Sequence, residues 1–320
     1  MCVQDRNPFF FLVFLITLNM TELLSFKDHR SVKYQSKKEI FDGWLVIDFD
    51  GTCTVRDTTS VLPKLSSFLH CNGDDLEARV SKFKAFEEKY YELYREAQKQ
   101  ICPRNFATID DALGFLDRVS TEVTSEVSNS GVLRGLNVPS EDINCIIQKE
   151  KNLREEIKLC SGCLEVIARA KKTLGLKLGV LSINWCPSLI EAALLHPLQH
   201  QLLLGSNGAN EIPIWSNSID REGIVKLNVP GALAKKDRIM RLKKQKAHVI
   251  YIGDSSTDLG ALLEADVGIL IGCSKSAISL AEKWGIPFAT LKDYFHSQKK
   301  HEEVIWTANS WKEIGDFLDT

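Results

Sequence analysis

The sequence predicts an α/β protein: a doubly wound, Rossmann-like parallel sheet with a helical cap inserted after the first strand. From Trp44 onward, apolar segments typical of buried strands alternate with helical patterns, as in a series of β-α-β units. Residues 50–175 then separate the first predicted strand from the second, and this stretch is rich in helix-forming residues. A crossover needs only about a dozen residues, so the excess indicates an inserted helical module.

Five short apolar segments are predicted to be strands. They are residues 44–49, 176–181, 248–252, 267–271 and 287–291. Before the second strand, Leu164, Ile167, Ala170 and Leu174 recur at helical spacing, which predicts a helix that packs on the sheet. A smaller insertion, residues 205–230, contains two short β segments, 212–215 and 223–229, on either side of a turn.

The predicted domain division follows from these patterns. Residues 1–40 form a leader or an N-terminal tail, residues 41–58 and 160–320 form the α/β core, and residues 59–159 form the helical cap. The apolar run 9–18 is too short to span a bilayer, which takes about 20 residues. We expect a cytoplasmic protein, with a mitochondrial location, or a secretory one that uses this run as a signal peptide, as alternatives.

Composition limits the partners. The chain has 320 residues, of which 44% are hydrophobic and 26% are charged, with a formal net charge of −2. This balance is typical of a globular domain and argues against nucleic acid and against a stable membrane span. The nine cysteines are an odd number and are scattered, which favours a reducing compartment over a disulfide framework. The oligomeric state stays open.

Polar residues follow several of the predicted strands. Asp48 and Asp50 come directly after the first strand, and two buried carboxylates there are costly unless a cation compensates them. Ser182 follows the second strand, and a pair of lysines, Lys235 and Lys236, opens the next helix. The segment Gly253-Asp254-Ser-Ser-Thr-Asp258 follows the third strand. Ligands of open α/β sheets bind outside the carboxyl ends of the strands, where these residues lie.

This motif order resembles that of the haloacid dehalogenase superfamily of phosphohydrolases. The match consists of DxDGT, then a serine after a strand, then a lysine, then GDxxxD, and it spans residues 44–271. The long helical insertion after the first motif is similar to the cap of the phosphoserine-phosphatase-like branch. The resemblance implies a phosphoric monoester hydrolase that uses Mg²⁺.

Phosphoryl transfer needs a nucleophile, a proton donor and charge neutralisation. Asp48 is predicted to attack phosphorus and form an aspartyl-phosphate, and Asp50 to protonate the leaving alcohol and then activate water. Ser182 is expected to donate a hydrogen bond to a phosphoryl oxygen of a small-molecule phosphomonoester, and the lysine to neutralise the charge that develops during transfer and to fix Asp48. The resemblance implies that Asp48, the Asp50 backbone carbonyl and Asp254 hold the metal. The supporting residues are Gly51, which permits a tight turn, Thr52, and Asp258, which supports either the metal or the lysine.

The motif lysine is either Lys235 or Lys236. Superfamily members usually show a lysine followed three residues later by an apolar residue that faces the core. Lys236 precedes Ile239 at this spacing, whereas Lys235 precedes Arg238. The sequence therefore favours Lys236.

Substrate choice is expected to come from the cap. The run Asp48 to Asp57, DFDGTCTVRD, is similar to that of the plant thiamine monophosphate phosphatase domain, which makes thiamine monophosphate the lead candidate. Asp57, Trp185, Tyr90 and Tyr94 are candidate substrate residues, although Asp57 equally suits a helix N-cap and the aromatic residues equally suit helix packing. The alternatives are phosphoserine, phosphocholine, phosphoethanolamine or a nucleotide as substrate, and a non-catalytic binding protein with the same fold.

Overall fold

A parallel sheet lies at the centre of the protein. The structure is a computed structural model that describes residues 43–69, 75–203, 212–296 and 304–320. Within these residues, seven parallel strands are arranged in the order β3-β2-β1-β6-β7-β9-β8, and β4 and β5 form a separate antiparallel pair. The strands are β1 Trp44–Ile47, β2 Lys177–Leu181, β3 Ile214–Trp215, β4 Ser218–Ile219, β5 Val225–Lys226, β6 Val249–Gly253, β7 Val267–Ile271, β8 Phe288–Thr290 and β9 Ile305–Ala308.

Helices cover the sheet and fill the insertion between β1 and β2. They are α1 Leu62–Leu69, α2 Leu76–Gln100, α3 Ile109–Ser130, α4 Ser140–Lys149, α5 Lys151–Glu156, α6 Cys163–Lys172, α7 Pro187–Ile190, α8 His196–Leu203, α9 Ala232–Lys244, α10 Leu259–Glu264, α11 Lys275–Glu282 and α12 Trp311–Leu318. A π-helical turn, Glu191–Leu195, joins α7 to α8. Within the described residues, no helix combines the length and the apolar character needed to cross a membrane.

The predicted α/β fold class is confirmed, and each of the five predicted strands is present with boundaries shifted by a few residues. Strand β9 was not predicted, although it lies between β7 and β8 in the sheet. Its sequence, Ile-Trp-Thr-Ala, is too short to produce a clear apolar pattern. The segment 212–215 forms β3 at one edge of the main sheet, and the segment 223–229 contributes β5 to the antiparallel pair.

The insertion between β1 and β2 consists of helices α1 to α5. Thr108 begins α3 with a reciprocal capping box to Asp111, and Gly131 ends it in the left-handed conformation. The chain segments that enter and leave the insertion lie side by side, because Thr54 and Leu159 form an antiparallel bridge. Residues Gly43–Thr320 form one compact unit, and the boundaries 41–58, 59–159 and 160–320 stay a prediction. The predicted leader, 1–40, lies outside the described residues.

Asp117 of α3 links the inserted helices to the core at the start of α9. Its carboxylate accepts the backbone N–H groups of Ala232 at 2.9 Å and Leu233 at 3.1 Å. The first N–H groups of a helix have no partner within the helix, so a carboxylate from another element satisfies them and complements the helix dipole. Asp117 therefore fixes the position of α9 relative to α3.

We expect Asp117→Ala to lower the free energy of unfolding by about 1–2 kcal/mol, the usual cost of removing a helix cap. Urea unfolding followed by circular dichroism measures this change. Asp237→Ala is the matched control, because Asp237 is exposed on the same helix and should change stability by less than about 0.5 kcal/mol. Equal losses in the two variants would contradict the capping role.

Candidate active site

Three of the predicted motif residues follow three neighbouring strands. Asp48 comes directly after β1, Ser182 after β2 and Asp254 after β6, and β1 is hydrogen-bonded to both of the other strands. Parallel strands end at the same edge of a sheet, so these residues lie together at its carboxyl edge. All three are buried or half-buried.

A buried lysine lies between two of the carboxylates. The Lys235 Nζ is 3.0 Å from Asp48 Oδ2 and 2.7 Å from Asp258 Oδ1, and the side chains of all three residues are at most 5% exposed. Burial alone would lower the pKa of Lys235, but the Asp258 and Asp48 carboxylates raise it above its ordinary value. Lys235 is therefore a permanent cation at the centre of the site.

Asp258 anchors this lysine. Its Oδ1 also accepts the Tyr251 hydroxyl at 2.6 Å, and its Oδ2 accepts the backbone N–H groups of Asp254 and Ser255 at 3.1 and 3.0 Å. A Cβ on Gly253 would lie 2.3 Å from the Asp258 Cγ, so only glycine permits this approach. Both oxygens are occupied, and Asp258 is thus placed to support the lysine, one of the two roles predicted for it.

The structure corrects the preferred lysine. Lys236 points away from the cluster and forms an ion pair with Asp110 of α3, whereas Lys235 contacts Asp48. The prediction of Lys236 relied on the apolar residue three positions later, and this spacing did not identify the buried lysine. The buried face of α9 consists of Ala232, Lys235, Ile239 and Leu242, so the informative spacing was four residues, from Lys235 to Ile239.

Asp48 and Asp254 have carboxylate oxygens suited to a cation. With Asp258 they form a group whose oxygens lie within 4.8 Å of one another. Thr52 donates its hydroxyl to Asp254 Oδ1 at 3.0 Å, while Gly51 lies beside Oδ2. Gly51 has a φ of +71°, and a Cβ there would lie 2.4 Å from that oxygen. Only glycine therefore allows the Asp254 carboxylate to approach the backbone this closely.

The buried carboxylates carry more negative charge than Lys235 balances. Burial raises the pKa of Asp48 well above its ordinary value, although Lys235 opposes the shift. Burial, followed by the Asp258 carboxylate, raises the pKa of Asp254 to about 7. Burial and the nearby Asp57 raise the pKa of Asp50 to about 6. A second cation at this edge of the sheet would lower these pKa values and stabilise the ionised site.

Asp50 is bound by two residues that the sequence analysis did not select. Its Oδ1 accepts the Thr58 backbone N–H at 2.8 Å and the Thr58 hydroxyl at 2.6 Å. Its Oδ2 accepts the Asn184 amide at 2.7 Å. Asn184 lies two positions after Ser182 in an extended, buried segment. A polar residue at that spacing was the available signal, since alternate residues of an extended chain share a side.

Ser182 is fully buried, and its Oγ accepts the backbone N–H of Asn184 at 3.2 Å. The Ser182 backbone N–H donates to the Trp215 carbonyl of β3. The hydroxyl oxygen thus has a fixed donor, and its own proton is available to another acceptor.

A cavity of about 740 Å³, including the part open to solvent, adjoins these residues. Ile183 and Trp185, on either side of Asn184, form one wall, and helices α2 and α3 form another. The remaining lining residues are Asp57, Thr59, Phe83, Phe86, Glu87, Tyr90, Tyr91, Ser120, Val123, Thr124, Val127, Asn217, Leu227 and Pro230. Within the described residues, the lining is thus mainly aromatic and apolar, with four uncharged polar side chains, two carboxylates and no lysine or arginine.

The structure places three of the four predicted substrate residues in this cavity: Asp57, Tyr90 and Trp185. Asp57 also accepts the Thr59 backbone N–H at 2.7 Å, at the start of the short 3-10 helix Thr59–Val61, whose N-cap position is taken by Thr58 and not by Asp57. Tyr94 is not among the lining residues. Its hydroxyl instead forms a 2.6 Å hydrogen bond with Ser256, next to the Asp254–Asp258 loop.

The chain is similar in sequence to proteins from two other organisms. No family model matches the chain. The "Bifunctional TH2 protein, mitochondrial" of Arabidopsis thaliana is 28% identical over 315 residues, which cover 84% of this chain and 48% of that protein. The chain therefore spans about half the length of this relative. A CTO1 family protein of Schizosaccharomyces pombe is 23% identical over 288 residues, covering 83% of this chain and 96% of that protein.

Among solved structures, a phospho-aspartyl intermediate analogue of phosphoserine phosphatase is 14% identical. The alignment covers 86% of this chain and 98% of that one, with a TM-score of 0.43. The chain's own sheet carries the four motifs at its carboxyl edge, with Lys235 in contact with Asp48 and Asp258. The order and the placement of these motifs resemble those of the haloacid dehalogenase superfamily.

We expect Lys235→Met to lower the free energy of unfolding by about 3–5 kcal/mol, because it leaves buried carboxylates without their cation. Lys236→Met is the matched control. It removes only the partly exposed ion pair with Asp110 and should cost less than about 1 kcal/mol. Urea unfolding at neutral pH compares the two variants. A larger loss for Lys236→Met would show that the lysine assignment is wrong.

Proposed function

We propose that this protein is a Mg²⁺-dependent phosphomonoester hydrolase that forms an aspartyl-phosphate on Asp48. The observation that carries the proposal is the buried contact of Lys235 with Asp48 and Asp258, beside Asp50 and Asp254. A structural ion pair needs one carboxylate, whereas phosphoryl transfer needs a nucleophile, a proton donor and positive charge within one site. The convergence of four motifs on one sheet edge supports phosphoryl transfer over a structural ion pair.

Each residue of the site has its own role in the proposed reaction. Asp48 attacks phosphorus, and Lys235, held by Asp258, neutralises negative charge on the transferring group. Ser182 donates its free proton to a phosphoryl oxygen, since its Oγ already accepts from Asn184. Asp50 protonates the leaving oxygen and then takes a proton from the attacking water.

Asp48 and Asp254, with the Asp50 backbone carbonyl, would hold Mg²⁺, which prefers oxygen ligands and keeps several waters. When bound, the ion shields the phosphate charge from the attacking carboxylate. The carboxylate oxygens of Asp48, Asp254 and Asp258, which lie within 4.8 Å of one another, and the excess of carboxylates over lysines at this edge support a divalent cation here.

The cavity supports a substrate with a flat, positively charged leaving group. Aromatic rings of α2 stack on flat rings and attract cations, and Asp57 and Glu87 add negative charge. Thiamine monophosphate has both properties and is the lead candidate. The similarity of the first motif to the plant thiamine monophosphate phosphatase domain supports it, and so does the match to the Arabidopsis TH2 protein.

A mitochondrial location is the alternative to the cytoplasm that gains support, because the name of the Arabidopsis relative places that protein in mitochondria. The leader residues that would carry such a signal lie outside the described part of the chain.

We expect Mg²⁺-dependent phosphate release from thiamine monophosphate, measured against phosphoserine, phosphocholine, phosphoethanolamine and nucleoside monophosphates. Chelation with EDTA should abolish release, and excess Mg²⁺ should restore it. Asp48→Asn should reduce kcat/KM by at least about 10⁴-fold, because it removes the nucleophile of a covalent mechanism. Release that persists in Asp48→Asn would refute the aspartyl-phosphate route, and no release from any ester would favour the non-catalytic alternative.

We expect Glu87→Gln to raise KM for thiamine monophosphate about tenfold, equivalent to roughly 1.4 kcal/mol, with little change in kcat. Loss of a carboxylate in the cavity weakens binding of a cation in the ground state and the transition state alike. Glu88→Gln is the matched control, since Glu88 is exposed at the next position of α2 and pairs with Lys84. Steady-state kinetics that show the same KM in all three proteins would exclude recognition by Glu87.

A further inference from the structure

The half-buried Asp50 carboxyl group is held by hydrogen-bond donors from two residues, Thr58 and Asn184. Within the described residues, three donors reach its two oxygens: the Thr58 backbone N–H, the Thr58 hydroxyl and the Asn184 amide. Thr58 and Asn184 are at most 2% exposed, so water does not compete for these contacts. Two separate chain segments, one after β1 and one after β2, therefore hold a single carboxyl group.

The orientation of the Asn184 amide is itself fixed. Its Oδ1 accepts the Cys186 backbone N–H at 2.9 Å, which directs its Nδ2 toward Asp50. A flipped amide would place a carbonyl oxygen against the Asp50 carboxylate and would lose both hydrogen bonds. The same Nδ2 lies 3.2 Å from the Thr58 hydroxyl oxygen. Asn184 is thus a rigid donor whose direction is set by the backbone.

A carboxyl group has about four acceptor positions, two on each oxygen. Thr58 occupies both positions on Asp50 Oδ1, and Asn184 occupies one on Oδ2. One position remains, and it lies on Oδ2. Oδ2 is therefore the oxygen that can carry a transferable proton. The same hydrogen bonds prevent rotation of the carboxyl plane.

We propose that Asn184, with Thr58, is a positioning residue that directs the Asp50 proton from Oδ2 to the leaving oxygen of the substrate. The proposal rests on the proposed function, since it assumes that Asp50 is the general acid. As an Asp48 oxygen bonds to phosphorus, the bond from phosphorus to the ester oxygen breaks and its electron pair stays on that oxygen. The Asp50 proton moves to the same oxygen, so an alcohol leaves and Asp50 becomes a carboxylate.

The test compares two leaving groups in each variant. An alkyl ester needs a proton on its leaving oxygen, whereas 4-nitrophenolate leaves without one. Asn184→Ala should lower kcat/KM about 10²-fold for the best alkyl ester of the wild type, within the range of general acid catalysis, and less than tenfold for 4-nitrophenyl phosphate. The parameter kcat/KM isolates this step, because later hydrolysis of the phosphoenzyme does not affect it.

Thr58→Val provides a second, nearly isosteric variant if Asn184→Ala does not fold. It removes the hydroxyl donor, keeps the backbone N–H and should show the same selective loss, and Thr58→Ser should restore the wild-type ratio between the two esters. Equal losses on both esters, in Asn184→Ala or in Thr58→Val, would overturn the positioning role and leave a structural one.

Failure of the proposed function has a different signature. In that case the wild type turns over neither ester, or Asp50→Asn lowers kcat/KM equally for both esters. Either result overturns the positioning role of Asn184 together with the role of Asp50 as general acid. An Asp50→Asn variant that loses activity selectively on the alkyl ester, beside an Asn184→Ala variant that does not, rejects only the role of Asn184.

Discussion

The buried contact of Lys235 with Asp48 and Asp258 is the constraint on which the rest of the site depends. A single lysine cannot neutralise four carboxylates, and each of them is costly to bury. The surrounding structure reduces this cost by hydrogen bonds. Tyr251 and two backbone N–H groups stabilise Asp258, Thr52 stabilises Asp254, and Thr58 and Asn184 stabilise Asp50. The negative charge that remains supports the proposed divalent cation at this sheet edge.

The position of Lys235 also depends on the inserted helices. Its helix, α9, begins where Asp117 of α3 accepts two backbone N–H groups, and Lys236 contacts Asp110 of the same inserted helix. Tyr94 of α2 contacts Ser256 beside the Asp254–Asp258 loop. Within the described residues, Asp110, Asp117 and Tyr94 of the insertion therefore couple it to the charged centre through polar contacts with residues near the motifs.

The sequence was sufficient for the sheet and for most of the charged centre, because buried apolar strands and carboxylates at their ends leave clear local patterns. It was insufficient where the decisive information was three-dimensional. Lys235 and Lys236 are neighbours, and only the buried face of α9 separates them. Asn184 and Thr58 are ordinary polar residues until the fold brings both to Asp50. Tyr94 shares the helical spacing of the cavity tyrosines, yet its hydroxyl forms a hydrogen bond with Ser256, which is 162 positions away in the sequence.

The cavity and the charged centre are formed by different parts of the protein. Aromatic side chains of α2 supply much of the cavity wall, whereas the carboxylates and the lysine come from strand ends and from α9. The two sets are joined at Asn184, whose neighbours Ile183 and Trp185 face the cavity while its amide holds Asp50. Under the proposed function, selectivity and turnover are accordingly separable: the wall of α2 could be altered to admit another ester while the charge balance of the sheet edge is preserved.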